Sequence, residues 1–423
     1  MDQKAKTIVR EPLQIDLERL KETLLELSRI GFNEEDKGIY RIGFSEADMA
    51  ARRWLMDLLE REGFQARMDG AGNVYGRLGA ADKPTVTVGS HLDTVPAGGM
   101  FDGALGVIAA LEILRICRDS GLHLNWPLEL VATSEEEGRY GGMLGAQAIA
   151  GNLTPGLILS MHDADNNRLA DAMTAAGLEP LGALEARRPP ETIRAFLELH
   201  IEQGPVLERI GKTIGVVDGI SGVYKWIVRL IGKADHAGTA PMNMRSDAFM
   251  GLADFAHEIP RIIDENGTDR SRLTVGKVEL KPGSPHTIPG EAVFTLVGRD
   301  SDENMMQELC NACRKSLSAI ARRHNLRFEY EQISWLAPMT CDTGVIEMLE
   351  RQAAALDYSY ERMPSGAGHD TQFLSEITRA GLIFVPSVGG VSHSPDEWTH
   401  WNDIESGANL LLNAAVALAT EPE

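Results

Sequence analysis

Two rhythms of apolar and polar positions alternate along the chain. Thr85-Val86-Thr87-Val88, Leu128–Thr133, Phe196–Leu199 and Leu382–Pro386 are short, largely apolar runs of the kind buried strands show. Between them the spacing is helical. Phe44-Ser45-Glu46-Ala47-Asp48 opens a helix that runs to Glu62, with Ser45 as N-cap, Asp48 in the capping-box position and Gly63 as the stop. Gly103–Arg118 reads as an apolar helix. The N-terminal set Leu13, Ile15, Leu17, Leu20, Leu24, Leu25 and Leu27 predicts another, packed on the main core. Strands alternating with helices in this way predict an α/β fold with a mostly parallel central sheet.

Between about residues 214 and 331 the pattern changes. A strand at Val223–Ile231 precedes a helix near Ser246–Glu265. Strands at Leu273–Leu280 and Ala292–Val297 follow, then a helix from Asp302 to Arg323 and a strand from Arg327 to Gln332. This β-α-β-β-α-β order predicts an inserted ferredoxin-like α+β module. The expected division is therefore one domain from residues 1–213 and 332–423, and a second from 214–331. A length of 423 residues also favours two cores over one.

The strand ends carry the chemistry. The first run delivers Gly89-Ser90-His91-Leu92-Asp93-Thr94-Val95, and Asp102 follows in a glycine-rich turn. A histidine that binds metal must be neutral, and Asp93 is placed to hold its second ring nitrogen. The second run delivers Ser134-Glu135-Glu136-Glu137-Gly138. Three adjacent carboxylates repel one another unless cations neutralise some of them. His200 closes the third run, and His393 lies in a glycine-rich loop after the fourth. Ligand sites in open α/β sheets form outside the carboxyl ends of strands, where all of these fall. The set His91, Asp102, Glu137, His200 and His393 mixes imidazole with carboxylate and has no thiolate. That suits zinc, manganese or cobalt in a catalytic site better than a closed structural zinc site.

At these residues the chain resembles the di-metal aminoacylase and carboxypeptidase superfamily, and within it the hydantoinase/carbamoylase branch. That branch holds N-carbamoyl-L-amino acid amidohydrolases, allantoate amidohydrolases and β-ureidopropionases. The matching segments are Gly89–Val95, Phe101-Asp102-Gly103, Glu135–Gly138, His200-Ile201-Glu202-Gln203-Gly204-Pro205, His236–Met242, Ser365–Asp370 and Ser392-His393-Ser394-Pro395, in family order. The resemblance implies that Asp102 bridges two divalent metal ions, with His91 and His200 completing one shell and Glu137 and His393 the other. Glu136 is the implied general base, with Glu135 a competing assignment. His236 is implied to stabilise the developing oxyanion from across a homodimer interface. Gln203 is implied to contact the ureido or amide group, and Arg299 to clamp the substrate carboxylate. Gly366 and Gly368 are implied backbone donors, with Ser365 and His369 lining the pocket. The inserted module is the implied lid and dimerisation domain, hinged near Gly219–Gly222 and Trp335–Pro338.

Two departures bear on substrate identity. His286 stands where relatives carry a substrate-contacting Asn, and Gly138-Arg139-Tyr140-Gly141-Gly142 differs from the usual continuation of the Glu-Glu-Gly motif. The expected reaction is hydrolysis of the carbamoyl C–N bond of an N-carbamoyl-L-amino acid or related ureido acid by a hydroxide bridging two metal ions. Zinc is favoured, with manganese or cobalt as alternatives. Allantoate or other ureide hydrolysis and N-acyl-L-amino acid cleavage are the rival reactions, and a catalytically dead metal-dependent scaffold is the rival class.

Composition narrows the partners. A formal net charge of −21 argues against nucleic acid or an anionic membrane surface. Hydrophobic content of 43% and charged content of 24% are those of an ordinary globular protein. No run approaches the ~20 apolar residues of a membrane span, and Met1–Lys6 lacks an apolar secretory segment. Cys117, Cys310, Cys313 and Cys341 form no disulfide framework. The Cys310–Cys313 pair shares one helix face, so buried thiols in a cytoplasmic protein are expected.

Overall fold

The computed structural model describes residues 12–422. The Met1–Lys6 stretch, on which the expectation of no secretory segment rests, lies outside the described residues. The chain forms two compact units. One holds the residues through Asp218, Cys341–Met363 and everything from Gly368 onward; the other holds Gly219–Thr340 with Pro364–Ala367.

The first unit is built on a mixed sheet with a parallel centre. Leu128–Thr133, Thr85–His91, Ile193–Ile201 and Arg379–Val385 lie side by side in that order, each parallel to the next. Val74–Leu78 flanks one side antiparallel, with Gln65–Met68 beyond it, and Ile214–Ile220 flanks the other. Every residue of Thr85–His91 and Leu128–Thr133 is buried, as a sheet covered on both faces requires. Helices Ala104–Asp119 and Trp401–Ala419 supply much of that cover.

Helix Glu46–Arg61 starts where its capping pattern places it, but Asp48 does more than cap. Ser45 Oγ accepts from the Asp48 amide at 3.2 Å. Asp48 in turn accepts from the amide of Phe44, one residue earlier than a standard capping box, at 2.9 Å. Its other oxygen pairs with buried Arg52 at 2.9 Å. The N-terminal helix is shorter than its apolar spacing predicts and spans Leu17–Ser28 with Asp16 as N-cap. Leu13 and Ile15 lie outside the helix, and their amides donate to the side chains of Asn413 and Asn409 on the last helix.

The second unit is an antiparallel sheet in the order Arg327–Leu336, Gly222–Ile231, Glu291–Asp300, Arg272–Lys281, with helices Ala248–Asn266 and Glu303–Arg323. Alternate residues of Gly222–Ile231 are buried, so Tyr224, Trp226, Val228 and Leu230 pack against Phe255, Leu309 and Leu317. Cys310 and Cys313 lie in this core, and burial pushes their thiols up to about 12 and about 11. The boundaries differ from the sequence expectation for structural reasons. Residues 214–218 stay with the first unit because Val216 and Val217 pair with Ile383 and Leu382. Residues 332–336 belong to the second because the strand that begins at Arg327 runs on to Leu336.

Candidate metal centre

Parallel register brings the expected ligands together. His91 is the last residue of its strand, and His200 is the penultimate residue of the neighbouring strand. Nε2 of each points at the same oxygen of Asp102, at 3.4 Å from His91 and 3.1 Å from His200. The other Asp102 oxygen lies 3.5 Å from His393 Nε2, which is itself 3.4 Å from Glu137. The result is two donor groups, His91–Asp102–His200 and Asp102–Glu137–His393, with Asp102 common to both.

Hydrogen bonding fixes the imidazole tautomers. His91 Nδ1 lies 3.0 Å from the Asp93 carbonyl, and His200 Nδ1 lies 2.8 Å from the Ile201 carbonyl. A carbonyl only accepts, so both Nδ1 atoms carry protons. The Gly103 amide donates to His200 Nε2 at 3.1 Å, which requires a lone pair there. That lone pair and a carboxylate oxygen therefore face each other, an arrangement a cation relieves. Glu137 and Gln203 each also present a buried oxygen with no hydrogen-bond partner. Gly103 itself adopts φ +62°, and a Cβ there would sit 2.4 Å from the His91 ring.

The electrostatics point the same way. Burial opposes charging His91, but Glu136, Asp102 and Asp93 outweigh it and hold its pKa well above the usual imidazole value. Burial drives the Glu136 carboxyl well above its ordinary range, and burial with the Asp102 charge takes Glu137 up to about 8. The cluster is short of positive charge, and two divalent cations would supply it.

The three adjacent glutamates separate by geometry. Glu135, held at φ 54°, closes the following turn by accepting from the amides of Tyr140 at 2.6 Å and Gly142 at 3.2 Å. Its carboxylate is committed there. Glu137 faces His393, and Glu136 points towards His91, its nearest oxygen 3.7 Å from Nε2. Asp93 corrects the sequence expectation in detail. Its backbone carbonyl, not its carboxylate, is the near partner of His91, the carboxylate being 4.0 Å away. That carboxylate instead accepts from the amides of Glu136 at 3.2 Å and Glu137 at 3.1 Å, because the glutamate loop folds over it.

Gln203, also in the left-handed region at φ 57°, donates its amide to Asp102 at 2.7 Å. His369 is buried with its ring 4.5 Å from that of His200, and burial holds its pKa well below the usual imidazole value. Several groups around the cluster have no signature in the sequence. Arg52 is fully buried and donates to the carbonyls of Gly72 at 3.0 Å and Thr133 at 2.9 Å, anchoring the strand end before the glutamates. Glu198, two residues before His200 on the same strand, accepts from Ser90 of the His91 strand at 2.7 Å and from Thr371 at 2.6 Å. Glu397 accepts from the Phe101 and Asp102 amides at 2.9 and 3.1 Å. Only its place soon after the Ser-His-Ser-Pro motif could have drawn attention to it.

The remaining expected residues belong to the second unit, apart from Gly368. His236 Nδ1 accepts from the amides of Gly238 at 3.0 Å and Thr239 at 3.2 Å, so its neutral ring carries the proton on Nε2, a hydrogen-bond donor. Arg245 donates to the carbonyls of Ala237 and Ala240, at 2.7 and 3.0 Å, and steadies this turn. The adjoining segment holds His286, whose carbonyl accepts from Ala237 at 3.0 Å. Arg299 lies near the end of its strand and donates to the Gly366 carbonyl at 2.7 Å.

A parallel α/β sheet whose strand ends converge on an imidazole–carboxylate cluster, in a chain that also carries a ferredoxin-like unit, defines a two-domain metallohydrolase. The chain belongs to peptidase family M20/M25/M40, whose model matches residues 87–417. It is 37% identical over 405 residues to an N-carbamoyl-L-amino-acid amidohydrolase of Paenarthrobacter aurescens, covering 95% of this chain and 98% of that one. It is 33% identical to the allantoate amidohydrolase of Escherichia coli, covering 95% and 97%. A hydantoinase/carbamoylase family amidase from Burkholderia multivorans superposes with a TM-score of 0.90 at 33% identity, covering 97% and 99%.

Proposed function

We propose that this protein hydrolyses the carbamoyl C–N bond of an N-carbamoyl-L-amino acid or related ureido acid. The observation that carries the proposal is the single carboxylate, Asp102, shared by two donor groups with Glu136 beside them. His91, Asp102 and His200 would hold one divalent cation and Asp102, Glu137 and His393 the other, zinc first, with manganese or cobalt as alternatives. Such a pair, when bound, lowers the pKa of water and polarises a carbonyl.

The chain's own residues do the rest. Glu136, unlike Glu135, has a carboxylate not taken up by a turn, and takes the proton of the attacking water and delivers it to the leaving nitrogen. Gln203 spends its N–H on Asp102 and keeps an unpartnered Oε1, an acceptor suited to a ureido N–H. His236 offers Nε2–H to the oxyanion that develops on the carbonyl, from the partner subunit of a homodimer. Arg299 pairs with the substrate carboxylate. Gly366 and Gly368 add backbone donors, and His286 and His369 shape the pocket. The second unit, 214–331 by sequence and Gly219–Thr340 by contacts, is the lid and dimerisation domain. Four cysteines, all buried and none in a disulfide, support a cytoplasmic location.

The relatives named above support a ureido substrate. Allantoate is the second reading, supported by the Escherichia coli relative, and His286 in place of the usual Asn leaves the choice of ureido acid open. A panel of N-carbamoyl-L-amino acids, allantoate and N-acetyl-L-amino acids, assayed with and without chelator, decides between them. Chelator-sensitive turnover of carbamoyl amino acids is expected, and full activity after complete metal removal would overturn the reading.

A further inference from the structure

We infer that Glu397, acting with Ser392, is a positioning residue that holds the bridging carboxylate in place and ties the Asp102 loop to the His393 loop. The inference rests on the metal centre proposed above. Glu397 is buried, 3% exposed, although it carries a carboxylate. One of its oxygens accepts from two consecutive amides, Phe101 at 2.9 Å and Asp102 at 3.1 Å, so it fixes the backbone from which Asp102 projects. The other lies 3.0 Å from Ser392 Oγ, which is 2.8 Å from the Asp102 oxygen that faces His393. Asp102 is thus gripped at both its main chain and its side chain by a segment nearly 300 residues away in sequence, within five residues of His393.

The surroundings are shaped around this brace. A Cβ on Gly99 would come within 2.3 Å of Glu397 Oε1, so the turn needs glycine to admit the carboxylate. The rings of Trp398 and Trp401 pack edge-on against Phe101, with centroids 5.4 and 5.7 Å away, beside the amide that Glu397 accepts from. Ser392 has one hydroxyl proton for two carboxylates. A glutamine at 397 would keep an oxygen for the two amides and offer N–H to Ser392, leaving the serine proton for Asp102. Alanine would provide neither.

The test compares the wild type with E397Q, E397A and S392A. Each is stripped of metal and titrated with zinc and with manganese by calorimetry at a temperature where circular dichroism shows it folded, and kcat and KM are measured separately. E397A should lose about 10- to 100-fold in metal affinity, with kcat falling more than KM rises, as removal of a partner that orients a ligand does. E397Q should bind metal close to the wild type, and S392A should fall between the two. Equal metal affinity and kcat in E397A and the wild type would overturn the inference, as would an E397Q as weak as E397A. If E397A fails to fold, S392A against E397Q decides. A wild type that takes up no metal would sink the proposed function itself, a result distinct from either.

Discussion

His91 and His200 end neighbouring parallel strands, are almost fully buried, and have Nδ1 fixed by main-chain carbonyls. Glu137 and His393, by contrast, hang from loops; His393 adopts φ 54° and leaves 49% of its side chain exposed. One half of the centre is set by the sheet and forms with it. The other depends on loops that must be held in place by Asp93, Ser392 and Glu397. A scaffold of this kind separates tight anchoring from adjustability, and the two halves should respond differently to damage.

The largest expected effect follows. His200→Ala and His393→Ala should both lose activity to background. After dialysis, however, elemental analysis should find less than one metal equivalent in the first and about one in the second, because the second keeps the buried, strand-held group His91–Asp102–His200, whereas the first keeps only the loop-borne group with its half-exposed His393. Equal losses would break the comparison. Next, Glu136→Gln should lower kcat about 100- to 10,000-fold while metal content stays at the wild-type value. A normal rate would move the base elsewhere. His236→Ala should cost about 100- to 1,000-fold in kcat, as removal of an oxyanion donor does. Mixing it with Glu136→Gln should restore activity in heterodimers, and no recovery would mean that each His236 serves its own chain or none. The smallest change is Gly103→Ala, which forces a side chain into left-handed backbone against the His91 ring. It should lower unfolding stability by about 1–3 kcal/mol in urea melts and weaken the strand-built half.

The fold was legible because its signals are local. Ser45 caps the helix it was expected to cap, and the buried strands are the apolar runs that predict them. The strand-end placement of His91 and His200 was readable for the same reason. Long-range groups were not. Glu397 finds the Asp102 amide across a separation of 295 residues, and no periodicity reports such a pairing. Arg41 and Arg52 stand in the sequence as ordinary charged residues, yet both are fully buried, where Arg41 donates to the Leu92 carbonyl at 2.9 Å. Choosing among Glu135, Glu136 and Glu137 needed the actual path of the turn, since only hydrogen bonding shows that Glu135 is spent on it. The partner of His91 likewise turned on a main-chain atom that side-chain identity does not reveal.

All four sulfhydryls are sealed inside the protein, and that of Cys341 is raised by burial to about 12. Little thiolate is then available from Cys310, Cys313 or Cys341 at neutral pH for alkylation or oxidation. If dithiothreitol slows this enzyme, the reagent is competing for its cations rather than breaking a bond.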